Sequence, residues 1–451
     1  MLKMIIRKEV SFLKGALPIA IPVSIVTLLQ TAVQTSVDQI MISHMGKYSI
    51  AGVGLVVKYL MLFSTIVNAL MALTNIMVSQ SFGKRDIRRV NQSISVNLAV
   101  VMLTSFTFIL LSCLFAPQIM GLYTKDPLTI AQASEYLRIV VWQYIPVGVG
   151  SVFSTVLHCK GKSVVPMAAG VFAVIINIFF NWCLIYGNMG FPAMGLRGAA
   201  YATVFAMVVS VLIQLIYHFG DLRRKDHRAH FVIFDTFDEL VLYFKMLIPI
   251  IFSGISFSLS RNVFASIYAH MGTTESAGIS MLTPVTGIVS GLLMGFTVSS
   301  SLQIGKLLGN QSRDCAFRIS KMYLFNTLII SLLISAGIVL LRDQYINLFD
   351  ISAGLKEIME KLMISCACIA PLSALNMVLS SGIIKSGGKT NYILYIDLIG
   401  NWLFGVPLAM GAAFWLKLPV EYVFLIAGAD ELARLLITLL LFRKKTWMQT
   451  S

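Results

Sequence analysis

Asp38 closes a polar run, Ser24, Thr27, Thr31, Gln34 and Asp38, inside an otherwise apolar stretch. Spacings of three, four, three and four keep all five residues on one face of an α-helix. A lipid-facing helix does not tolerate such a stripe, so it must face the bundle interior or water. An ionised carboxylate in hydrocarbon is costly and must be protonated, paired or bound to a cation. Exchanging a proton or a sodium ion there changes local charge and packing, and can bias two conformations. The chemistry expected of Asp38 is therefore ion coupling. Two cations lie at similar depth: Lys58 in the second apolar run and Arg261 in the seventh, beside Ser253, Ser256 and Ser260. Either cation, paired with Asp38, would hold its carboxyl ionised and disfavour proton exchange. For Lys58 the alternative is to run its stem out to the interface. Gln34, Thr31, Lys58, Ser256, Ser260 and Arg261 are the candidate substrate-cavity residues. Asp397, with Asn401 one turn on, is the other deep acid. It is either a second titrating site or the partner of Lys385 or Lys389. Glu431 and Arg434, three residues apart, are placed to pair. No HExxH, P-loop or GxSxG motif occurs, so neither an enzyme nor ATP-driven transport by this chain is expected. No cofactor is expected beyond the coupling ion.

The elements that must position these residues follow from composition. Apolar residues make up 57% of the 451 and charged residues 12%, against about 45–50% and about 25% in soluble domains. So much apolar surface needs lipid as its solvent, and each span needs about 20 apolar residues. Such runs occur near 16–43, 50–80, 91–117, 134–158, 164–187 and 197–219, then near 240–270, 278–308, 316–341, 358–384, 390–413 and 420–442. The fold class is thus all-α integral membrane, with twelve spans joined by short loops. The first run is too long for a signal peptide and is expected to stay as an uncleaved span. Seven of the candidate prolines, Pro18, Pro22, Pro146, Pro249, Pro284, Pro371 and Pro407, fall in or near spans, where neighbours can satisfy the carbonyls they free. The six cysteines lie in or beside spans without metal-binding spacing and read as small apolar filler.

A net charge of +15 could suggest nucleic acid, but its placement argues for a membrane. Twenty-three basic residues sit on alternate connections or at the termini, among them Lys3, Lys84, Lys160, Arg223, Lys306, Lys385 and Arg443, against six on the opposite side. This bias places both termini in the cytoplasm of a multi-pass inner or plasma membrane protein. The basic residues then meet anionic lipid, and the expected partners are the bilayer and a small organic substrate, with no nucleic acid. A monomer is expected.

The chain also repeats itself. His44-Met45-Gly46 recurs as His270-Met271-Gly272, Ala51-Gly52 as Ala277-Gly278, and Gly83 as Gly309, all offset by 226 residues; Glu135 and Pro146 match Glu360 and Pro371 at 225. An offset of six helices preserves helix direction, so the halves are parallel repeats, a design that places substrate between them and alternates access by rocking. The expected organisation is an N-lobe over 1–220, a charged linker over 221–239 and a C-lobe over 240–451. The same offset maps Asp38 onto Phe264, while Asn177, Asn181 and Trp182 recur as Asp397, Asn401 and Trp402 at 220.

Several segments together resemble the multidrug and toxic compound extrusion (MATE) family of the multidrug, oligosaccharide-lipid and polysaccharide exporter superfamily. They are Ser-Val-Asp-Gln-Ile-Met-Ile-Ser-His-Met-Gly over 36–46, Gln80-Ser81-Phe82-Gly83-Lys84-Arg85-Asp86, Gly161-Lys162, Asn177-Ile178-Phe179-Phe180-Asn181, and Gly195-Leu196-Arg197-Gly198-Ala199-Ala200-Tyr201-Ala202-Thr203. The resemblance spans nearly the whole chain. It implies a V-shaped pair of six-helix lobes related by a pseudo-two-fold axis, and an antiporter exporting organic molecules, cationic and amphipathic ones foremost, driven by sodium or proton entry. It further implies that Asp38 works with polar residues of spans five and six. Asn177 and Asn181 share one helix face, their amide oxygens suit a hard cation, and Tyr201 and Thr203 lie on the neighbouring span. Asp38, Asn177 and Asn181 are the expected coupling-cation ligands. The chain departs from the family in having Asn181 where some relatives carry a second acid, and no acid near Phe257. Lys58 and Arg261 would suit two rivals in the same superfamily, a lipid-linked oligosaccharide flippase or an organic-anion exporter. A channel is a further alternative.

Overall fold

Long apolar runs form long helices because, in lipid, a helix satisfies its own backbone polar groups. The computed structural model describes residues 2–34, 37–38, 41, 47–224, 236–349 and 351–448. The His44-Met45-Gly46 copy of the repeat and linker residues 225–235 lie outside the described residues. Every regular element among the described residues is helical. Among the described residues, eleven helices are long and apolar enough to cross a bilayer, from Phe12–Thr31 to Asn391–Trp415. The twelfth expected span, 420–442, is two shorter helices, Val420–Ala427 and Ala429–Lys444, that meet at Gly428. Asp430, Glu431 and Arg434 open the second of these, and all three are buried. Charge at that density lowers the apolar character of the run and demands internal partners.

The chain divides into two compact units. One is Ile25–Leu240; the other combines Met1–Ser24 with Val241–Ser451. The expected first lobe began at residue 1, whereas the first 24 residues group with the second half. Specific contacts within that unit account for this: Ser299 Oγ donates to Ala16 O at 3.0 Å, Ser24 Oγ donates to Leu292 O at 2.7 Å, and Phe12 packs edge-on against Tyr323 at 4.8 Å. Both units have apolar cores. That of Ile25–Leu240 gathers Val56, Phe63, Ile109, Leu137, Tyr144 and Ala200.

Local sequence explains where helices begin, end and touch. Asp126 accepts from Thr129 N at 3.0 Å, with Pro127 in the first turn of Pro127–Val140, the arrangement preferred at a helix start. Gly187, at φ +75°, ends Val164–Tyr186 in the left-handed conformation that glycine adopts without steric cost. Two close approaches need glycine. A Cβ on Gly198 would lie 2.5 Å from Leu184 O, and one on Gly170 would lie 2.8 Å from Val26 Cγ1. These contacts draw Leu196–Arg224 and the continuation of the first helix onto Val164–Tyr186. The first helix changes character on the way: Leu2–Leu28 is α-helical and Leu29–Gln34 is π-helical. Such wider turns are frequent at functional sites and rotate the side chains beyond them onto a new face.

Candidate functional site

Val164–Tyr186 carries Asn177 and Asn181 one turn apart on its buried face, 0% and 2% exposed. Asn181 Nδ2 donates to Asp38 Oδ1 at 2.7 Å and to Asn177 Oδ1 at 3.2 Å. Asn177 Nδ2 donates to Thr203 Oγ1 at 3.3 Å, and Thr203 in turn donates to Ala199 O at 3.0 Å. A single line of hydrogen bonds thus runs from the carboxylate through two amides to a hydroxyl, across three helices. Within the unit, no described basic group forms an ion pair with Asp38. Lys58 is exposed and makes no ion pair among the described residues. The buried Asn181 Oδ1 has no hydrogen-bond partner among the described residues. An orphan acceptor beside a carboxylate is the donor set a small cation or an added proton would complete.

The sequence placed four of these residues in one neighbourhood, and the structure brings Asp38, Asn177, Asn181 and Thr203 into contact. Tyr201 is elsewhere. It stands two residues before Thr203, about 200° around the helix, and is 48% exposed. It lines a separate open cavity of about 760 Å³ with Glu135, Arg138 and Arg197. The polar stripe of the first helix is unevenly covered. Ser24 and Gln34 are buried, but Thr31 is exposed and donates to Thr27 O at 2.7 Å. The π-helical turns at Leu29–Gln34 break the α-helical register on which that expectation rested. Tyr136, buried and within electrostatic reach of Asp38, was missed. Its only sequence signal is a lone polar ring in the buried run of Pro127–Val140.

The other unit holds a different acid cluster. Asp397 accepts from Ser253 Oγ and lies 3.6 Å from Arg434 Nη1. Arg434 Nη2 also meets Asp430 at 2.8 Å and Glu431 at 2.9 Å. Asn376 Nδ2 donates to Glu431 Oε2 at 2.8 Å. The ion-pair partner of Asp397 is therefore Arg434, not Lys385 or Lys389 as expected, although Lys385 stays within electrostatic reach. Lys389 instead lies over the Tyr392 ring. The side chain of Arg434 passes over Gly400, where a Cβ would collide with it. Asn401, 1% exposed, follows on the same helical segment with its Nδ2 unpartnered among the described residues. Ser256 accepts from Trp402 Nε1 at 2.9 Å and Ser260 donates to Phe257 O at 2.8 Å. Both serines are buried, so these two cavity candidates are engaged in packing. Arg261 is exposed, with its guanidinium 4.9 Å above the Phe257 ring.

Comparison with known proteins identifies the family. The MatE family model matches twice, over 22–183 and again over 249–410, one match in each half of the expected duplication. The probable multidrug resistance protein NorM of Bacillus cereus is 23% identical over 432 residues, 92% of this chain and 92% of that one. The uncharacterized transporter YisQ of Bacillus subtilis is 22% identical over 417 residues, 92% of this chain and 90% of that one. Among solved structures, the outward-facing conformation of a multidrug resistance MATE family transporter of the MOP superfamily matches with a TM-score of 0.86 and 19% identity, covering 96% of this chain and 95% of that one. A MOP superfamily transporter from Pyrococcus furiosus Vc1 (DSM3638), in which reverse polarity of the binding pocket suggests a different function, also matches at 0.86 and 19%, covering 97% of each. With the family model covering well over half of its length in two copies, the chain belongs to the MATE family of membrane transporters.

Proposed function

We propose that this protein is a secondary-active multidrug exporter in which entry of sodium or protons, bound at Asp38, drives organic compounds outward by alternating access. The observation that carries the reading is the Asp38 carboxyl itself: its hydrogen-bond partner in the unit is a neutral amide, Asn181. A charge left without a counter-charge in a low-dielectric setting must take one from solution. Asn181 can serve both states. It donates to an ionised Asp38 as it stands, and with its amide turned over its oxygen accepts from a protonated one. A sodium ion would use the carboxylate with the amide oxygens of Asn177 and Asn181. The names of the relatives, multidrug resistance proteins NorM and MdtK, support drug export. The asymmetry of basic loops supports cytoplasmic termini in an inner or plasma membrane.

Everted vesicles with imposed pH or sodium gradients test this directly. Export of a fluorescent cationic dye is expected under one of the two gradients, and Asp38→Asn is expected to reduce it to the level of protein-free vesicles. Export by Asp38→Asn at the parent rate would refute the assignment. A second reading, export of organic anions, rests on Lys58, exposed and without an ion pair among the described residues. An anionic dye in the same vesicles, with Lys58→Gln as the variant, separates the two.

A further inference from the structure

A cavity of about 310 Å³ lies at one end of the unit that holds Asp397. It is lined by Lys245 and by the turn Gly388-Lys389-Thr390-Asn391-Tyr392. No carboxylate is among its lining residues. Lys245 is exposed and makes no ion pair among the described residues, while Lys389 Nζ lies 5.8 Å over the Tyr392 ring. The lining therefore favours a negative charge.

The turn presents hydrogen-bond donors. Gly388 takes the left-handed conformation at φ +84°, and Thr390 stands at the N-cap of Asn391–Leu398. Thr390 is 2% exposed, yet its hydroxyl makes neither a capping bond nor any other hydrogen bond among the described residues. A buried hydroxyl in a cavity wall without a partner is a group that a ligand completes. The amides of Tyr392, Ile393 and Leu394 turn back onto Lys389 O and Thr390 O, which leaves Asn391 N–H without an acceptor among the described residues. Helix N-termini carry partial positive charge and hold anions through such amides. Glycine, lysine and a hydroxyl residue opening a helix are also the closing parts of a P-loop, although the rest of that motif is absent. The other half of the chain repeats the turn as Gly161-Lys162-Ser163 before Val164–Tyr186, with Gly161 at φ +73° and the buried Ser163 Oγ unpartnered among the described residues. There, the adjacent Lys160 meets a carboxylate of its own unit, Asp221, at 3.0 Å.

We propose that the cavity beside Lys245 and Thr390 binds a terminal phosphate group, carried by a lipid headgroup or by a soluble compound. Lys245 and Lys389 supply the positive charge, and the Thr390 hydroxyl and Asn391 N–H donate to its oxygens. A terminal phosphate brings nearly two negative charges and three strong acceptor oxygens, which matches two ammonium groups and two neutral donors. A carboxylate, with one charge and two oxygens, leaves part of that set unmet. Asn391 opens its span, and Lys245 stands about 12 Å along Phe237–Met271, a helix roughly 20 Å longer than the hydrocarbon is thick. The cavity therefore sits at the membrane surface, where both sources have access.

Isothermal titration calorimetry of the full-length, delipidated protein in detergent tests the site, with inorganic phosphate and dihexanoyl phosphatidic acid as probes and acetate as the control anion. Saturable binding of at least one phosphate probe is expected, and tighter than that of acetate. Either source upholds the site: tighter binding of the lipid places the phosphate in the bilayer, and tighter binding of inorganic phosphate places it in solution. Lys245→Gln should weaken binding by at least about tenfold, the effect of losing one charged hydrogen bond, and Thr390→Val by about threefold, the effect of losing a neutral one. Lys245 is exposed, so its variant tests charge and not folding. Lys162→Gln, in the other copy of the turn, should leave binding unchanged. Failure of both phosphate probes to bind overturns the proposal, as does acetate binding equally well. So does binding that Lys245→Gln and Thr390→Val leave unmoved, or that Lys162→Gln weakens as much as Lys245→Gln.

Discussion

Asp38 and Asp397 are both half-buried acids set among apolar helices, one in each compact unit, yet the chain answers their charge differently. Around Asp38 it supplies amides, with Asn181 donating at 2.7 Å and Asn177 and Thr203 behind it. Around Asp397 it supplies a guanidinium, and Arg434 meets Asp430 and Glu431 as well. A fixed counter-charge makes a buried acid structural, because removing either partner strands the other in low dielectric. A neutral partner leaves the charge to be met by something exchangeable. The family model matches both halves, so the two arrangements stand on duplicated scaffolds. The offset that aligns the halves puts Phe264 where Asp38 stands, and Phe264 is buried against Gly405, where a Cβ would lie 3.0 Å from its ring. Duplication preserved the helices, while the charged chemistry diverged between the copies.

The largest effect expected of this contrast is functional. Asp38→Asn keeps the shape and one hydrogen-bonding oxygen but cannot change charge. On the proposed reading it abolishes gradient-driven export. Its thermal unfolding in detergent should stay close to the parent's, because the interhelical bond it alters is worth only about 0.6 kcal/mol in membrane proteins. An unfolding shift large enough to explain lost transport would remove the distinction between the two acids.

The next effect is one of stability. Arg434→Met leaves Asp397, Asp430 and Glu431 facing one another without their shared cation, and should cost about 3–5 kcal/mol. It is read as a lowered unfolding temperature or loss of the monodisperse peak on gel filtration. Restoring that stability with Asp430→Asn and Glu431→Gln in the same chain would sharpen the contrast, since the fault would then be stranded charge and not lost packing. Asp397→Asn should be milder, at most about 1.5–3 kcal/mol for making the hydrogen bond from Ser253 a neutral one, because Arg434 keeps Asp430 and Glu431 at 2.8 and 2.9 Å. Driven export should persist in Asp397→Asn. If export vanishes there while stability is unchanged, the second unit also couples to an ion and the comparison fails.

How much of this was legible in the sequence differs between the two acids for a physical reason. Helix positions followed from apolar run length, and Asn177 with Asn181 followed from their spacing and from the family resemblance, since both lie on one uninterrupted α-helix. The stripe ending in Asp38 rests on α-helical periodicity, which the π-helical turns at Leu29–Gln34 alter over its last residues. For Asp397 the sequence offers a second titrating site or a pairing with Lys385 or Lys389, the lysines nearby in sequence. Its actual partner, Arg434, comes from another helix, and the approach depends on Gly400 having no side chain. The pairing of Glu431 with Arg434 was visible three residues apart. The third carboxylate, Asp430, was equally visible at four, but the run was read as one plain span. Tyr201 failed by helical phase: a motif names its residues together, but neighbours two apart point to nearly opposite faces.

The smallest effect belongs to the far end of the Asp38 line. Thr203→Val removes the hydroxyl that accepts from Asn177 Nδ2 at 3.3 Å and itself donates to Ala199 O. Nothing that carries charge is touched. Asn177 is fully buried, so its freed amide must turn or go unpaired, and either outcome loosens the oxygen it presents to Asn181. A bond of this kind is worth about 0.6 kcal/mol, which corresponds to about a threefold change in an equilibrium constant. The cation concentration giving half-maximal export should therefore rise by about threefold, with the maximal rate unchanged. A fall in maximal rate without change in cation dependence would place Thr203 in the conformational step. No change in either would confine the working site to Asp38 and Asn181. Thr203 would then differ little from the packing serines of the other unit, and the line of hydrogen bonds would end functionally at its first amide.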